Sequence, residues 1–243
     1  VNARRAPGDG RTDRRPRAGG GPAVDWPDLH RRLDVGLAAL GIDIDPGVPA
    51  RLIAYLELLE RWNRVHNLTA VRDPGEMVTR HLLDSLAALS YIEGPAVIDV
   101  GSGAGLPGIP VALARPELSL TLVEARGRRA RFLEHVVDRL ALTNVRVADV
   151  RVQDLGPGAA FDTLTARAFA SLDELLRVAG HLCRPGAAVV AYKGRRPQEE
   201  VAAIAGHAFA VERIVPLTIP GLDAPRHLVV LRAPGGSEMD TPG

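Results

Sequence analysis

The spacing of apolar residues divides the chain near residue 95. Ahead of that point, three stretches repeat hydrophobic positions at the period of a helix with one buried face. Trp26 to Leu40 has Pro27 near its start and Gly41 just past its end, the expected start and stop signals. Ala50 to Val65 carries Leu52, Ile53, Leu56, Leu59 and Trp62 on one face. Pro74 to Tyr91 gathers Met77, His81, Leu82, Ser85, Leu86 and Leu89. These three predict a helical cap spanning residues 25–92.

From Ala96 the pattern changes to short apolar runs alternating with helical stretches, the order of a doubly wound parallel α/β sheet. Strands are expected at Val97–Val100, Leu118–Val123, Val145–Ala148, Phe161–Ala166 and Ala187–Tyr192. Helices are expected at Arg126–Leu140, Leu172–Leu182 and Gln198–Gly206. Two adjacent strands, Ala210–Leu217 and Arg226–Leu231, close the chain as a hairpin, so the last strand should run antiparallel to the others. The sheet domain is therefore placed at residues 93–233, with an Arg/Gly/Pro-rich tail at 1–24 and a frayed end at 234–243.

The most specific chemistry sits where the first of these strands ends. Val97-Ile98-Asp99-Val100 runs into Gly101-Ser102-Gly103-Ala104-Gly105-Leu106-Pro107-Gly108, and the next strand ends in Glu124, 23 residues after Gly101. Strand, glycine turn, helix, strand and acid is the order in which open parallel sheets hold an adenosine-containing cofactor. The glycines admit close backbone approach, and a carboxylate at the second strand end can accept both ribose hydroxyls. A dinucleotide fingerprint needs a third glycine at position 106, where this chain has Leu106 followed by Pro107. Pyrophosphate favours a helix N-terminus with its amides pointing outward, and an early proline removes one. S-adenosylmethionine carries no phosphate and fits the variant, so Gly101, Ser102, Gly103, Gly105, Leu106 and Glu124 are read as its binding residues. An NAD site and an unliganded turn are the alternatives.

Composition narrows the class. With 243 residues, 46% hydrophobic, the chain can bury a full core. It has no apolar run of the ~18 residues that span a membrane. Nor is there an apolar leader segment, and a cytoplasmic location is expected. Cys183 is the only cysteine and the histidines are scattered, so neither a disulfide nor a metal site is expected. Net charge is +1, but residues 1–22 hold six arginines against two aspartates. That segment lacks apolar periodicity and is expected to be disordered, either as an RNA-binding arm or as an extension without function. Lys193 is the only lysine among 30 basic residues: either the position wants a compact ammonium or one lysine has survived by chance.

Ligands of such sheets sit beyond the carboxyl ends of the strands. After the third strand lies Asp149-Val150-Arg151-Val152-Gln153-Asp154, where amides can read an adenine edge and Val152 can cover its face. After the fourth comes Arg167-Ala168-Phe169-Ala170, and after the fifth Lys193. The acid-or-Asn-Pro-Pro-aromatic motif of amino-methylating DNA enzymes is absent from the fourth strand end. Cys183, before Arg184-Pro185, is read as packing. Arg167 can fix a carboxylate or phosphate, with a surface or core-bridging arginine as the alternative. No general base stands out in these loops. An acceptor such as guanine N7, with a lone pair and no proton, needs none. Positioning supplies about 10⁵–10⁸ M of effective molarity, whereas a general base typically adds about 10²–10⁴-fold.

Trp62-Asn63, Asn67-Leu68-Thr69, Arg80-His81, Leu83-Asp84-Ser85, Ile98 to Gly101, Gly105 to Pro110, Arg167 to Leu172, Tyr192-Lys193-Gly194 and Arg226 to Val230 together resemble the RsmG (GidB) family. The resemblance spans roughly residues 50–232. It implies a Rossmann-like class I methyltransferase that uses S-adenosylmethionine to methylate N7 of one guanine in bacterial 16S ribosomal RNA. The implied partner is 16S rRNA, the small ribosomal subunit or its assembly intermediate. By motif, Gly101, Leu106, Val152, Gln153 and Arg167 would contact the cofactor. Glu124 stands where relatives carry Asp or Glu, and Gln153 where they commonly carry Glu. Residues 1–22 have no counterpart in the family pattern.

On the RNA side, Arg126, Arg128, Arg129, Arg131, Lys193, Arg195, Arg196 and Arg226 stand near the expected mouth. Phosphate contacts from such residues supply affinity without sequence, and a solvated face is the alternative for the arginines on the helix after Glu124. Aromatic residues are only 4% of the chain, so recognition by stacking platforms is not expected. Arg167, Lys193 and Arg226 are the candidates for positioning the guanine. A small-molecule methyltransferase is the main alternative, and a non-enzymatic RNA binder a weaker one.

Overall fold

The computed structural model describes residues 24–156, 160–194 and 197–235. The expectations for residues 1–23, Pro157-Gly158, Arg195, Arg196 and 236–243 lie outside these.

Among the described residues seven strands form one sheet: β1 Ala96–Val100, β2 Ser119–Val123, β3 Val145–Ala148, β4 Phe161–Arg167, β5 Cys183–Lys193, β6 Ala210–Leu217 and β7 Arg226–Arg232. Their order across the sheet is β3-β2-β1-β4-β5-β7-β6. β1 to β5 pair in parallel, and β7 runs antiparallel to both β5 and β6. The chain reverses its lateral direction between β1 and β4, the point where such sheets bind ligands. The strand pleat sorts side chains between two cores. Val97 packs with Val111, Leu118 and Leu120 on one face, while Ile98 and Val100 pack with Leu164, Val189 and Leu231 on the other.

On the first face lie α5 Gly108–Ala114 and α6 Gly127–Arg139, with the amino-terminal helices α1 Trp26–Ala39 and α2 Val48–His66 packed outside them. Leu33, Leu52 and Leu56 share one core with Ile109, Leu113, Phe132 and Leu133. On the second face lie α7 Leu172–Ala179 and α8 Gln198–Ala203. Local chemistry sets the ends of these helices. Asp25 caps α1 by accepting from the Asp28 amide at 2.9 Å. At its other end Gly41, at φ 64°, donates to Ala38 O while Ile42 donates to Leu37 O, a Schellman closure. Ser171 caps α7 through the Glu174 amide at 3.1 Å. None of the helices described is long and apolar enough to cross a membrane.

Most expected elements recur within a few residues, with β5 starting earlier, at Cys183, and α7 and α8 ending sooner. The single helix expected at Pro74–Tyr91 is instead broken into α3 Pro74–Met77, a π-helical turn Val78–Leu83, α4 Asp84–Leu86 and a 3₁₀ turn Leu89–Tyr91. The Asp84 amide reaches back five residues to Thr79 O and also contacts His81 O, bypassing Arg80 O, its partner in an α-helix. That carbonyl instead accepts from Arg167 Nη1 at 3.0 Å.

Candidate functional site

The glycine turn after β1 is tied down from every side. The amides of Gly101 and Ser102 donate to Val123 O, those of Gly105 and Leu106 to Ser102 O, and that of Ile109 to Gly105 O. Ser102 Oγ donates to Asp99 O at 2.9 Å, and Tyr55 OH, from α2, donates to Ala104 O at 2.7 Å. Asp99 lies fully buried beneath the turn, accepting from Thr165 Oγ1 at 3.0 Å and from the Gly108 amide at 3.2 Å. Burial pushes its carboxyl up to about 6, against the opposing pull of Ser102, Thr165, Gly108 and Arg167. The first amides of α5 are therefore spent internally, and Pro107 contributes none. This is not a pyrophosphate cradle.

It does fit an adenosine-bearing group without phosphate. Gly101 and Gly103 take φ of 69° and 60°, and a Cβ built at Gly101 would meet only Phe169 Cδ2, at 4.0 Å. The concave side of the turn is open there. Glu124, 6% exposed, accepts from the Gly103 amide through Oε2 and the Arg126 amide through Oε1, both at 2.9 Å. Each oxygen keeps a further lone pair, which suits a vicinal diol. Gly105 and Leu106 sit differently. A Cβ on Gly105 would meet Ile109 Cγ1 at 2.6 Å, and Leu106 is 4% exposed within the core, so these two shape the turn from beneath.

Beyond β3, Val152 is buried at the start of a 3₁₀ turn and Gln153 is exposed. Both line a cavity of about 550 Å³ shared with Leu155, Phe169 and Arg177. Next to it, Arg167, Lys193 and Arg226 meet in a second cavity of about 330 Å³ that also takes in His81, Asp84 and Tyr192. The backbone between the two turns at Ala168, which holds φ 59°, a left-handed conformation that non-glycine residues seldom adopt. Arg167 thereby lines one cavity and Phe169 the other.

None of the three basic residues is bare. Asp84, 3% exposed, accepts from Arg167 Nη1 at 3.1 Å and from Arg226 Nε at 3.0 Å. Lys193 Nζ donates to Glu200 Oε2 at 2.6 Å, and the same oxygen accepts from the Leu172 amide. Tyr192 OH donates to Ser85 O at 2.8 Å, pinning α4 against β5. His81 Nε2 lies 3.0 Å from Thr69 Oγ1. Burial first, then the neighbouring Arg167 charge, lowers its pKa to about 4, so it is neutral at pH 7.

Of the other basic residues read from the sequence, Arg126, Arg128 and Arg131 are exposed, while Arg129 lies 3.9 Å from Glu124. Cys183 is largely covered, and burial pushes its thiol up to about 12. No group of three His, Cys, Asp or Glu able to hold a metal occurs among the described residues. Sequence reasoning assigned no role to Asp84, Tyr55 or Phe169, and Glu200 was not singled out at all. Asp84 and Tyr55 act on residues 83 and 49 positions away, and no local spacing signals that.

Residues 49–229 match the family described as GidB, rRNA small subunit methyltransferase G. The Ribosomal RNA small subunit methyltransferase G of Xanthomonas campestris pv. campestris (strain 8004) is 51% identical over 205 residues, 84% of this chain and 95% of that one. Its namesake from Alkalilimnicola ehrlichii is 49% identical over 208 residues, 86% of this chain and 94% of that one. Among solved structures, a SAM dependent methyltransferase from Aquifex aeolicus aligns with TM-score 0.52 at 17% identity, over 74% of this chain and 97% of that one. The Burkholderia thailandensis 1,6-didemethyltoxoflavin-N1-methyltransferase, solved with S-adenosylhomocysteine, aligns with TM-score 0.53 at 14% identity, over 74% and 88%. At these identities the two structures speak for the fold alone.

Proposed function

Because this chain belongs to the rRNA small subunit methyltransferase G family, we propose that it methylates N7 of a guanine in 16S ribosomal RNA, with S-adenosylmethionine as donor. The observation that carries the reading is the adjacency of two cavities at the Arg167–Phe169 turn. One adjoins a phosphate-free adenosine cradle, and the other is lined by paired cations suited to a nucleic-acid acceptor.

The bound donor supplies an electrophilic methyl group on a sulfonium. Glu124 holds the ribose hydroxyls, the backbone at Gly101 and Gly103 admits the donor closely, and Val152 and Gln153 cover and read the adenine. Arg167, at the boundary of the two cavities, serves both sides, while Lys193 and Arg226 position the RNA. Guanine N7 presents a lone pair and no proton, so alignment accounts for the rate without a proton acceptor. His81, held neutral, adds no charge beside the base. A ribosomal acceptor places the reaction in the cytoplasm.

The direct test is methyl transfer from labelled S-adenosylmethionine to small subunits from cells lacking the protein, with the labelled base mapped. One labelled guanine N7 is expected. Cofactor binding without any RNA label would move the assignment to a small-molecule acceptor. Charge reversal at Lys193 and Arg226 is expected to depress RNA methylation far more than cofactor binding.

A further inference from the structure

One side chain in the acceptor cavity has no role in the reading above, and it is the most heavily engaged. Asp84 is buried and holds two guanidiniums at once, Arg167 from the end of β4 and Arg226 from the start of β7. Each arginine is fixed by a second acceptor: Arg167 Nη1 by Arg80 O, and Arg226 Nη1 by Pro225 O, both at 3.0 Å. Arg167 keeps Nε and Nη2, and Arg226 keeps Nη2, without an acceptor among the described residues. Among the described residues, the other charges nearby are already balanced. Lys193 is paired with Glu200, Arg80 is paired with Glu76 at 3.2 Å, and His81 is neutral. Two guanidiniums against one carboxylate leave a single positive charge facing a cavity of about 330 Å³.

We propose that Asp84 is a positioning residue for the RNA acceptor, joining Arg167 and Arg226 into one donor unit whose single net charge matches one phosphodiester. Guanidinium forks recognise phosphate by geometry as well as charge. Without the carboxylate the two like charges repel, each follows its own rotamers, and the cavity attracts RNA more strongly but in more than one pose. The π-helical turn belongs to the same device, because it leaves Arg80 O for Arg167. The inference rests on RNA being the methyl acceptor.

Asp84→Asn separates the two ideas. It frees one cation, so the slope of log affinity against log salt, measured with a 16S rRNA transcript, is expected to steepen by about 0.7–0.9, one added phosphate contact. Turnover at saturating RNA is expected to fall by about 10²-fold, the scale of an ångström-level misplacement. Asp84→Asn/Arg226→Gln removes the freed cation; its slope should return to the parental value while turnover stays low. Asp84→Glu keeps the charge on a longer arm and should keep the parental slope at reduced turnover, which also serves if Asp84→Asn fails to fold. A parental slope in Asp84→Asn, or a steeper one in Asp84→Glu, overturns the assignment. If the parent protein neither methylates the transcript nor binds it in a salt-dependent way, the acceptor reading fails first.

Discussion

Gly101→Ala and Gly41→Ala form a matched pair that isolates the cofactor cradle from the backbone strain it contains. Both glycines hold left-handed backbone, φ 69° and 64°. An alanine at either position costs about 1–2 kcal/mol in that conformation. For a chain of this length, melting without ligand should drop by about 2–8 °C in each variant. They differ in what the added methyl meets. At Gly41, beyond the end of α1, nothing lies within 4 Å. At Gly101 the methyl enters the open side of the turn, with Phe169 Cδ2 at 4.0 Å as its only neighbour, in the space assigned to the cofactor. Overpacking a close-fitting contact by one methyl typically costs about 1–3 kcal/mol, so the Kd for S-adenosylmethionine should rise by about 5- to 150-fold. Isothermal calorimetry should find this in Gly101→Ala and an unchanged Kd in Gly41→Ala. Equal affinities in the two variants, with equal melting shifts, would refute the placement of the cofactor against Gly101.

Glu124→Gln keeps the shape but removes the charge that accepts from two backbone amides, so cofactor affinity should weaken by about tenfold or more in calorimetry, the scale of a charge-assisted hydrogen bond. The buried acid Asp99 and the buried base His81 act oppositely on stability as pH changes. Asp99, raised to about 6, binds its proton more tightly in the folded state, so its contribution is present at low pH and lost as pH rises through 6. His81, lowered to about 4, binds its proton more weakly when folded, so its contribution is present above pH 6.5 and lost as pH falls through 4. The two offset between pH 4 and 6, and Asp99→Asn should unmask the histidine, making Tm climb more steeply with pH there than in the parent. An unchanged Tm–pH profile would contradict the assigned burial of Asp99.

The parts of the site that were legible in the sequence are those set by local chain geometry. A glycine turn after an apolar run and an acid at the next strand end have fixed spacing, and both lie where that spacing requires, with Glu124 bonded to the Gly103 amide. The lone lysine among the arginines, Lys193, fits its ammonium into a site 10% exposed against Glu200. What stayed hidden comes from contacts distant in sequence or from a change of helical register. A π-helical turn shifts one residue out of the 3.6 period, so the run from Pro74 to Tyr91 reads as one amphipathic helix. Nothing in that run indicates that Asp84 meets Arg226, 142 residues later. Leu106 marked the turn correctly as unlike a dinucleotide loop, yet its side chain serves the core.

The charge balance of the acceptor cavity follows from the same chemistry that makes a general base unnecessary. Methylating guanine at N7 moves the positive charge of the sulfonium onto a ring that was neutral: as the sulfur–methyl bond breaks and the N7–methyl bond forms, charge leaves the donor and grows on the acceptor. A bare cation about 4 Å from the base would oppose the full charge there by about 4 kcal/mol at an effective dielectric of 20, and the part of that charge developed in the transition state slows the step. A nucleic-acid enzyme still needs cations to attract its substrate. The arrangement here meets both demands: among the described residues Arg167 and Arg226 share the carboxylate of Asp84, Lys193 has that of Glu200, and the adjacent imidazole is uncharged. The two guanidiniums keep hydrogen-bond donors and one net positive charge for a phosphate, while Asp84 cancels the other charge near the site of methylation. On this argument the carboxylates are as much a part of the acceptor site as the arginines they hold.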